Sequence, residues 1–342
     1  MLPTKINKIV CGYFSFLLAF LCAMLAATRG SVVSERNDTE AYRRYFECLS
    51  NHKPSDCAQV SVIGQLELGS DLFFVFMARM VDFQTFQFII AFLIFFPVIY
   101  FVLKFGRMMP VLILLLPSSA KYWELAFNVV RQGMATSLFF IALTALLSSG
   151  KVFSKTVFFA PLFHASAVGL VPVYWFKRVE SSKRLIVISV LFMAASLIVS
   201  EVLMEYIAYY SEKVSWYLIT NSKDGAGTEI PIYFYAPMLI AVFGLLFDKK
   251  WVGDSEIFFI LYFLVSLSFL FSTIGVGYRF LLYAYPIFVV IISRIFYDIG
   301  RAFQAESRLI VRYLGGCLLS IFALMVFLNE KALIYIHFGI SD

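Results

Sequence analysis

The chain has 342 residues, of which 61% are hydrophobic and only 15% charged, against roughly 25% charged in an ordinary soluble domain. Its formal net charge of +6 sits in short stretches between apolar runs, so it reads as membrane topology. No basic patch interleaved with aromatics stands on a soluble domain, which excludes a nucleic-acid partner. An all-α, polytopic transmembrane helix bundle is the fold class this composition predicts.

In chain order, Lys5 and Lys8 precede an apolar run over 9–28. A signal h-region is usually ~7–15 residues, so this longer run predicts a retained spanning helix whose N-terminus is cytoplasmic. Residues 29–84 then form an extracytoplasmic segment by the positive-inside rule. It carries Cys48 and Cys57, either paired in an oxidising compartment or left as two thiols, within what reads as a polar loop. Cys11, Cys22 and Cys317 lie in apolar runs and read as small core residues. Residues 68–82 are too short to span at ~20 residues, and predict a helix lying at the outer interface.

A span over 85–103 leads to Lys104 and Arg107, and a short apolar run returns outward before Lys121, Glu124, Asn128 and Arg131. The helix opened by Arg131 and Gln132 descends to Lys151 and Lys155. The next apolar segment, 157–175, contains Pro161, His164, Gly169 and Pro172. A single crossing here would put Lys177, Arg178, Lys183 and Arg184 outside, against the Lys/Arg bias. The sequence therefore predicts a broken or re-entrant segment over 152–176. Proline and glycine at membrane depth are tolerated where backbone lines a cavity.

Further spans are predicted over 185–206, carrying Glu201 and Glu205, and over 232–247, 257–273, 280–296 and 309–328. A Tyr/Trp-rich loop with Tyr209, Tyr210, Trp216 and Tyr217 suits an interfacial belt. The total is roughly nine to eleven membrane segments in one domain over 1–342, at ~20 residues per helix.

With this topology the polar residues collect at the outer face: Arg29, Asp38, Tyr42, Glu67, Asp71, Lys121, Glu124, Asn128, Arg131, Tyr278 and Arg279. A charged or titratable side chain within the membrane is costly and marks a functional site. The cytoplasmic loops carry no Gly-rich phosphate loop, so the sequence points to a lipid-linked or exported substrate. A guanidinium grips phosphate oxygens in a bidentate fork, and a histidine suits a general base. The competing readings are structural. Arg131 and Arg279 snorkel to headgroups, His164 donates to a carbonyl freed by Pro161, and Glu67, Asp71 and Glu124 hold the arginines by salt bridges.

Asp38–Tyr42–Tyr45, Glu67-Leu68-Gly69 before Asp71-Leu72-Phe73, Asn128-Val-Val-Arg131-Gln132, His164-Ala165-Ser166-Ala167 and a late Tyr278-Arg279 occur in that order. In this the chain resembles the EpsG-like family of exopolysaccharide-polymerising membrane proteins, functionally akin to Wzy-type O-antigen polymerases. It departs from the family pattern at Thr39-Glu40-Ala41, where an Asp-Tyr adjacency is usual, and at Ser70.

The resemblance implies a metal-independent glycosyltransferase of polysaccharide (exopolysaccharide or lipopolysaccharide O-antigen) biosynthesis in the bacterial inner membrane, with an architecture like that of GT-C enzymes. It implies no cofactor. The substrate would be an undecaprenyl-pyrophosphate-linked oligosaccharide, moved at the outer leaflet onto the non-reducing end of a lipid-linked repeat unit. A chain-length regulator protein and membrane lipid would be its partners. Arg131 and Arg279 would hold the departing pyrophosphate, with His164 as base. Arg29, Asp38, Tyr42, Glu67, Asn128, Gln132 and Tyr278 would bind substrate. The alternatives are a flippase of the same lipid-linked units, or another outer-leaflet polyprenyl-linked transferase or ligase.

Overall fold

The computed structural model describes residues 4–28, 38–60, 67–106, 116, 120–127, 129–148, 153–176, 191, 195, 206, 255–271 and 277–302. Every regular element among them is helical. The chain clusters into two compact units, residues 1–171 with 299–342, and residues 172–298. Apart from the single positions 116, 191, 195 and 206, the predicted return run over 108–119, the spans over 185–206, 232–247 and 309–328, the Tyr/Trp-rich loop, Glu201, Glu205 and Cys317 lie outside the described residues.

The first unit is built on α1 (Thr4–Ala27), α4 (Phe83–Phe105) and α6 (Val130–Leu147). Between them come α2 (Asp38–Asn51), α3 (Leu68–Ala78) and the short α5 (Ala120–Phe127). Ile9–Ala27, Phe83–Phe105 and Val130–Leu147 are long and apolar enough to cross a membrane.

Helix directions follow from their contacts. Cys11 approaches the Leu103 carbonyl and Phe20 meets Phe88 edge-on at 5.4 Å, so α1 runs antiparallel to α4. Ile94 lies against Gly133 and Phe101 packs on Phe140 at 4.8 Å, so α4 and α6 run parallel. The C-terminus of α1 and the N-termini of α4 and α6 therefore share one end of the bundle. Ala19, Ala23 and Ala26 on α1 are buried, small enough to let the backbones approach.

Pro97 sits inside α4 and cannot donate to the carbonyl four residues back. The Ser137 hydroxyl of α6 donates to that Leu93 carbonyl at 2.7 Å. A backbone acceptor that would be costly in lipid is thereby satisfied by the neighbouring helix. At the start of α4, the Asp82 side chain caps the helix by accepting from the Thr85 N–H at 2.7 Å. That backbone bond holds its carboxyl below the usual carboxylate range.

The polar loop expected after α1 is helical over Asp38–Asn51. Tyr42, Tyr45, Phe46 and Leu49 are buried at i, i+3, i+4 and i+7, one apolar stripe on an otherwise charged helix. Phe46 packs on Phe83 and Phe86 in the first turn of α4, at 5.6 and 4.7 Å. The Thr39 hydroxyl donates to the Phe127 carbonyl at the end of α5, at 2.8 Å. Together these contacts seat α2 across the shared end of the bundle.

Cys48 on α2 and Cys57 in the following 3-10 turn are joined by a disulfide across a separation of nine residues. Loop-closure entropy for a loop of this length assigns the bond about 3 kcal/mol. Cys48→Ser is expected to lower the thermal unfolding midpoint of the purified protein, followed by loss of its gel-filtration peak. An unshifted midpoint would mean that α2 is held by packing alone. Cys11 and Cys22 are free and buried.

Helix α3 is apolar on its outer side as well, with Leu68, Leu72 and Phe76 exposed four residues apart and Met80 continuing the row in the turn that follows. Its buried side carries Ser70, Phe74 and Met77. After α6 the chain forms three short 3-10 turns, Phe153–Phe158, Ala160–Leu162 and Ala165–Leu170. The Thr156 hydroxyl donates to the Leu138 carbonyl at 3.1 Å, midway along α6. From there the turns climb back toward Arg131. The path beyond 176 that decides between a hairpin and a crossing is outside the described residues.

The second unit holds α7 (Val173–Phe176), α8 (Ser255–Leu270) and most of α9 (Gly277–Ala302). Phe271, after α8, stacks on Phe280 of α9 at 5.4 Å. The Gly277 N–H donates to the Phe271 carbonyl at 3.1 Å, closing the turn between the two helices.

Candidate functional site

Arg131 is the second residue of α6, where the positive end of the helix dipole disfavours a cation. Its side chain is only 19% exposed, so a counter-charge has to be supplied from within the fold. Glu67, immediately before α3, supplies it. Its Oε2 is ion-paired with Arg131 Nη1, and its side chain is 7% exposed. On the other edge of the guanidinium, Nε donates to the Tyr42 hydroxyl of α2 at 3.2 Å.

Glu67 is brought there by a close approach of α3 to the 3-10 turns. A Cβ on Gly69 would lie 3.1 Å from both Leu162 Cβ and the Leu162 carbonyl oxygen, tighter than ordinary contact. One residue later the Ser70 hydroxyl donates to the Phe163 carbonyl at 2.8 Å. With the backbones locked together, Glu67 Oε1 accepts from the Ala165 N–H at 3.3 Å and stands 3.9 Å from His164 Nε2.

His164 has extended backbone and caps the turn that follows it. Its Nδ1 accepts from the Ser166 N–H at 3.2 Å and lies 2.7 Å from the Ser166 hydroxyl. A nitrogen that accepts carries no proton, which assigns the neutral ring's proton to Nε2, the nitrogen nearest Glu67. In this arrangement His164 presents a donor toward the carboxylate. Below, the Tyr45 hydroxyl donates to Asp71, and Phe74 lies beneath both Tyr42 and Tyr45 at 5.7 and 6.0 Å between ring centres.

Four segments far apart in sequence thus meet at one end of the bundle: Tyr42 and Tyr45 from α2, Glu67 and Asp71 at the start of α3, Arg131 from α6, and His164 with Ser166 from the 3-10 turns. Glu67 takes the salt-bridge role toward an arginine, whereas Asp71 holds a tyrosine. Gln132 is fully buried one position further round α6. Glu124 lies on α5. Arg279 stands in the first turn of α9, in the second unit, half-buried. Arg29 and Asn128 are outside the described residues, as are the side chains of Asp38, Lys121 and Tyr278.

Sequence reasoning did not anticipate the Ala165 N–H or the Ser166 cap as parts of the site. The signal available for the latter was the His-x-Ser spacing after a proline-interrupted run, a turn-capping pattern.

This arrangement can bind an anion through the guanidinium, a backbone N–H and an imidazole N–H, all presently facing a carboxylate. The family model described as EpsG family matches residues 12–337. No curated protein and no solved structure matches the chain significantly.

Proposed function

The chain belongs to the EpsG family and is a membrane protein of the exopolysaccharide-polymerase type, and from that premise we propose that it is the glycosyltransferase that lengthens a lipid-linked glycan. The donor is a growing glycan on undecaprenyl pyrophosphate. The acceptor is the non-reducing hydroxyl of the next lipid-linked repeat unit, an O-antigen or exopolysaccharide unit. The transfer takes place at the outer leaflet of the bacterial inner membrane, without a metal or other cofactor.

The observation that carries this reading is the half-buried Arg131 at the end of the bundle, held by Tyr42 and by Glu67, whose other oxygen is bound by the turn after His164. Departure of a pyrophosphate develops charge on its bridging oxygen, and a preorganised guanidinium in a water-poor site stabilises that charge. The first-turn N–H groups of α6 add a favourable helix terminus for the same anion. Glu67, with His164 standing beside it, forms the proton-handling side of the site. Arg279 and Arg29 are proposed as further pyrophosphate cations. Asp38, Tyr42, Asn128, Gln132 and Tyr278 are proposed as the sugar-contacting residues. The Cys48–Cys57 disulfide supports an oxidising compartment for this end of the bundle, since such bonds persist outside the cytoplasm. A chain-length regulator is the proposed protein partner.

The test uses purified protein in nanodiscs, lipid-pyrophosphate-linked repeat units, excess chelator and no nucleotide. A ladder of glycan multiples on a gel is the expected result. A single unchanged band, with movement of the same units across a liposome membrane, would make the protein a flippase. One addition that never repeats would make it a ligase-type transferase.

A further inference from the structure

We infer that Glu67 is the base of the transfer, and that the donor pyrophosphate switches it on by displacing its carboxylate from Arg131 and the Ala165 N–H. The inference rests on the polymerase reading and deepens it.

Three facts lead to it. First, the donors that suit a pyrophosphate already hold an anion, because Arg131 Nη1 and the Ala165 N–H each bind one oxygen of Glu67. Pyrophosphate and Glu67 therefore compete for the same groups. Second, Glu67 is buried, reaches Arg131 on one side and stands 3.9 Å from the imidazole of His164 on the other. A carboxylate gripped by a guanidinium is a poor proton acceptor. One released from its cation in a water-poor pocket is a strong one. Third, the other basic side chain at the site is already engaged, since His164 Nδ1 caps the Ser166 N–H and Nε2 carries the ring proton.

The donor pyrophosphate enters and takes over Arg131 and the Ala165 N–H, and Glu67 swings free. The acceptor hydroxyl gives its proton to the Glu67 carboxylate as its oxygen forms a bond to the anomeric carbon. The bond from that carbon to the pyrophosphate oxygen breaks, and its electron pair leaves with the polyprenyl pyrophosphate held by Arg131. When the pyrophosphate departs, Glu67 loses its proton to water and returns to Arg131. His164 is a positioning residue here, holding the turn that presents Ala165. The arrangement makes the base available only when donor is bound, so a bound acceptor alone meets no activated carboxylate.

The test compares wild type with Glu67→Gln and Glu67→Asp, as full-length protein in nanodiscs. Radiolabelled undecaprenyl pyrophosphate serves as the binding probe and lipid-linked repeat units as substrate. Glutamine keeps the size of Glu67 but neither competes as an anion nor accepts a proton. It should bind the probe about 5-fold tighter, because the competing occupant no longer taxes affinity. Its turnover should fall about 10²–10⁴-fold, the usual contribution of a general base. Aspartate should recover part of the turnover that glutamine does not.

A measurement on wild type guards against a variant that fails to fold. Dicyclohexylcarbodiimide, which modifies protonated carboxyls in apolar surroundings, should label Glu67 faster when undecaprenyl pyrophosphate is present. Slower or unchanged labelling overturns the displacement. Turnover of Glu67→Gln within a few-fold of wild type overturns the base role. Wild type that makes no polymer overturns the polymerase reading and the base role with it, while the labelling arm still decides whether pyrophosphate displaces Glu67.

Discussion

Replacing Arg131 by alanine is expected to abolish polymer, with product falling by at least about 10²–10³-fold, the usual cost of removing a preorganised donor from a developing anion. The variant also leaves Glu67 buried beside no guanidinium, and breaking a buried pair from one side costs about 3–5 kcal/mol. Loss of activity alone would therefore confuse catalysis with folding. The double variant Arg131→Ala with Glu67→Gln separates them, because it removes both charges together. Its thermal midpoint should return toward wild type while polymer stays absent. Lysine at position 131 keeps the charge but loses the fork that reaches Tyr42 and Glu67 at once, and should restore little activity. Polymer near the wild-type level from Arg131→Ala would remove this residue from the mechanism.

The second large effect concerns Gly133, two residues further along α6. A Cβ there would lie 2.2 Å from the Leu125 carbonyl oxygen and 2.6 Å from Ile94 Cδ1. The isoleucine end can rotate away; the carbonyl belongs to the α5 backbone and cannot. Gly133→Ala is expected to push α5 from α6 at a cost of about 3 kcal/mol, the upper range for overpacking. The displacement reaches Arg131 through half a turn of rigid helix. Both the thermal midpoint and polymer yield should fall, although alanine favours helix over glycine. An unchanged midpoint with full polymer would show that the two helices are not in close contact.

The spanning helices are legible in the sequence because lipid forces long uninterrupted apolar runs, and 9–28 and 85–103 lie close to α1 and α4. Helix α2 was hidden by composition. Its Asp, Glu and Arg residues read as solvated chain, and the stripe of Tyr42, Tyr45, Phe46 and Leu49 is the feature that betrays it. At the site, individual residues such as Arg131, Glu67 and His164 stand out because charge near lipid is costly. Their partnership does not. Glu67 and Arg131 are 64 positions apart, and nothing in one sequence fixes which acid meets which arginine. The tautomer of His164 is equally illegible, since it depends on the backbone conformation that brings the Ser166 N–H to Nδ1.

The N-terminal helix has a practical bearing on handling the protein. Its positive start and apolar middle resemble an export leader, and an expression design guided by that resemblance would trim the chain after Thr28 or replace the segment with a foreign secretion signal. Yet Ala19, Cys22, Ala23 and Ala26 are packed inside the bundle, and Phe16 and Phe20 interlock with Phe92 and Phe88 of α4. The segment is a wall of the protein. A trimmed chain would offer the bared flank of α4 to detergent or to a second copy, and its behaviour on a column would describe that wound and not the intact protein.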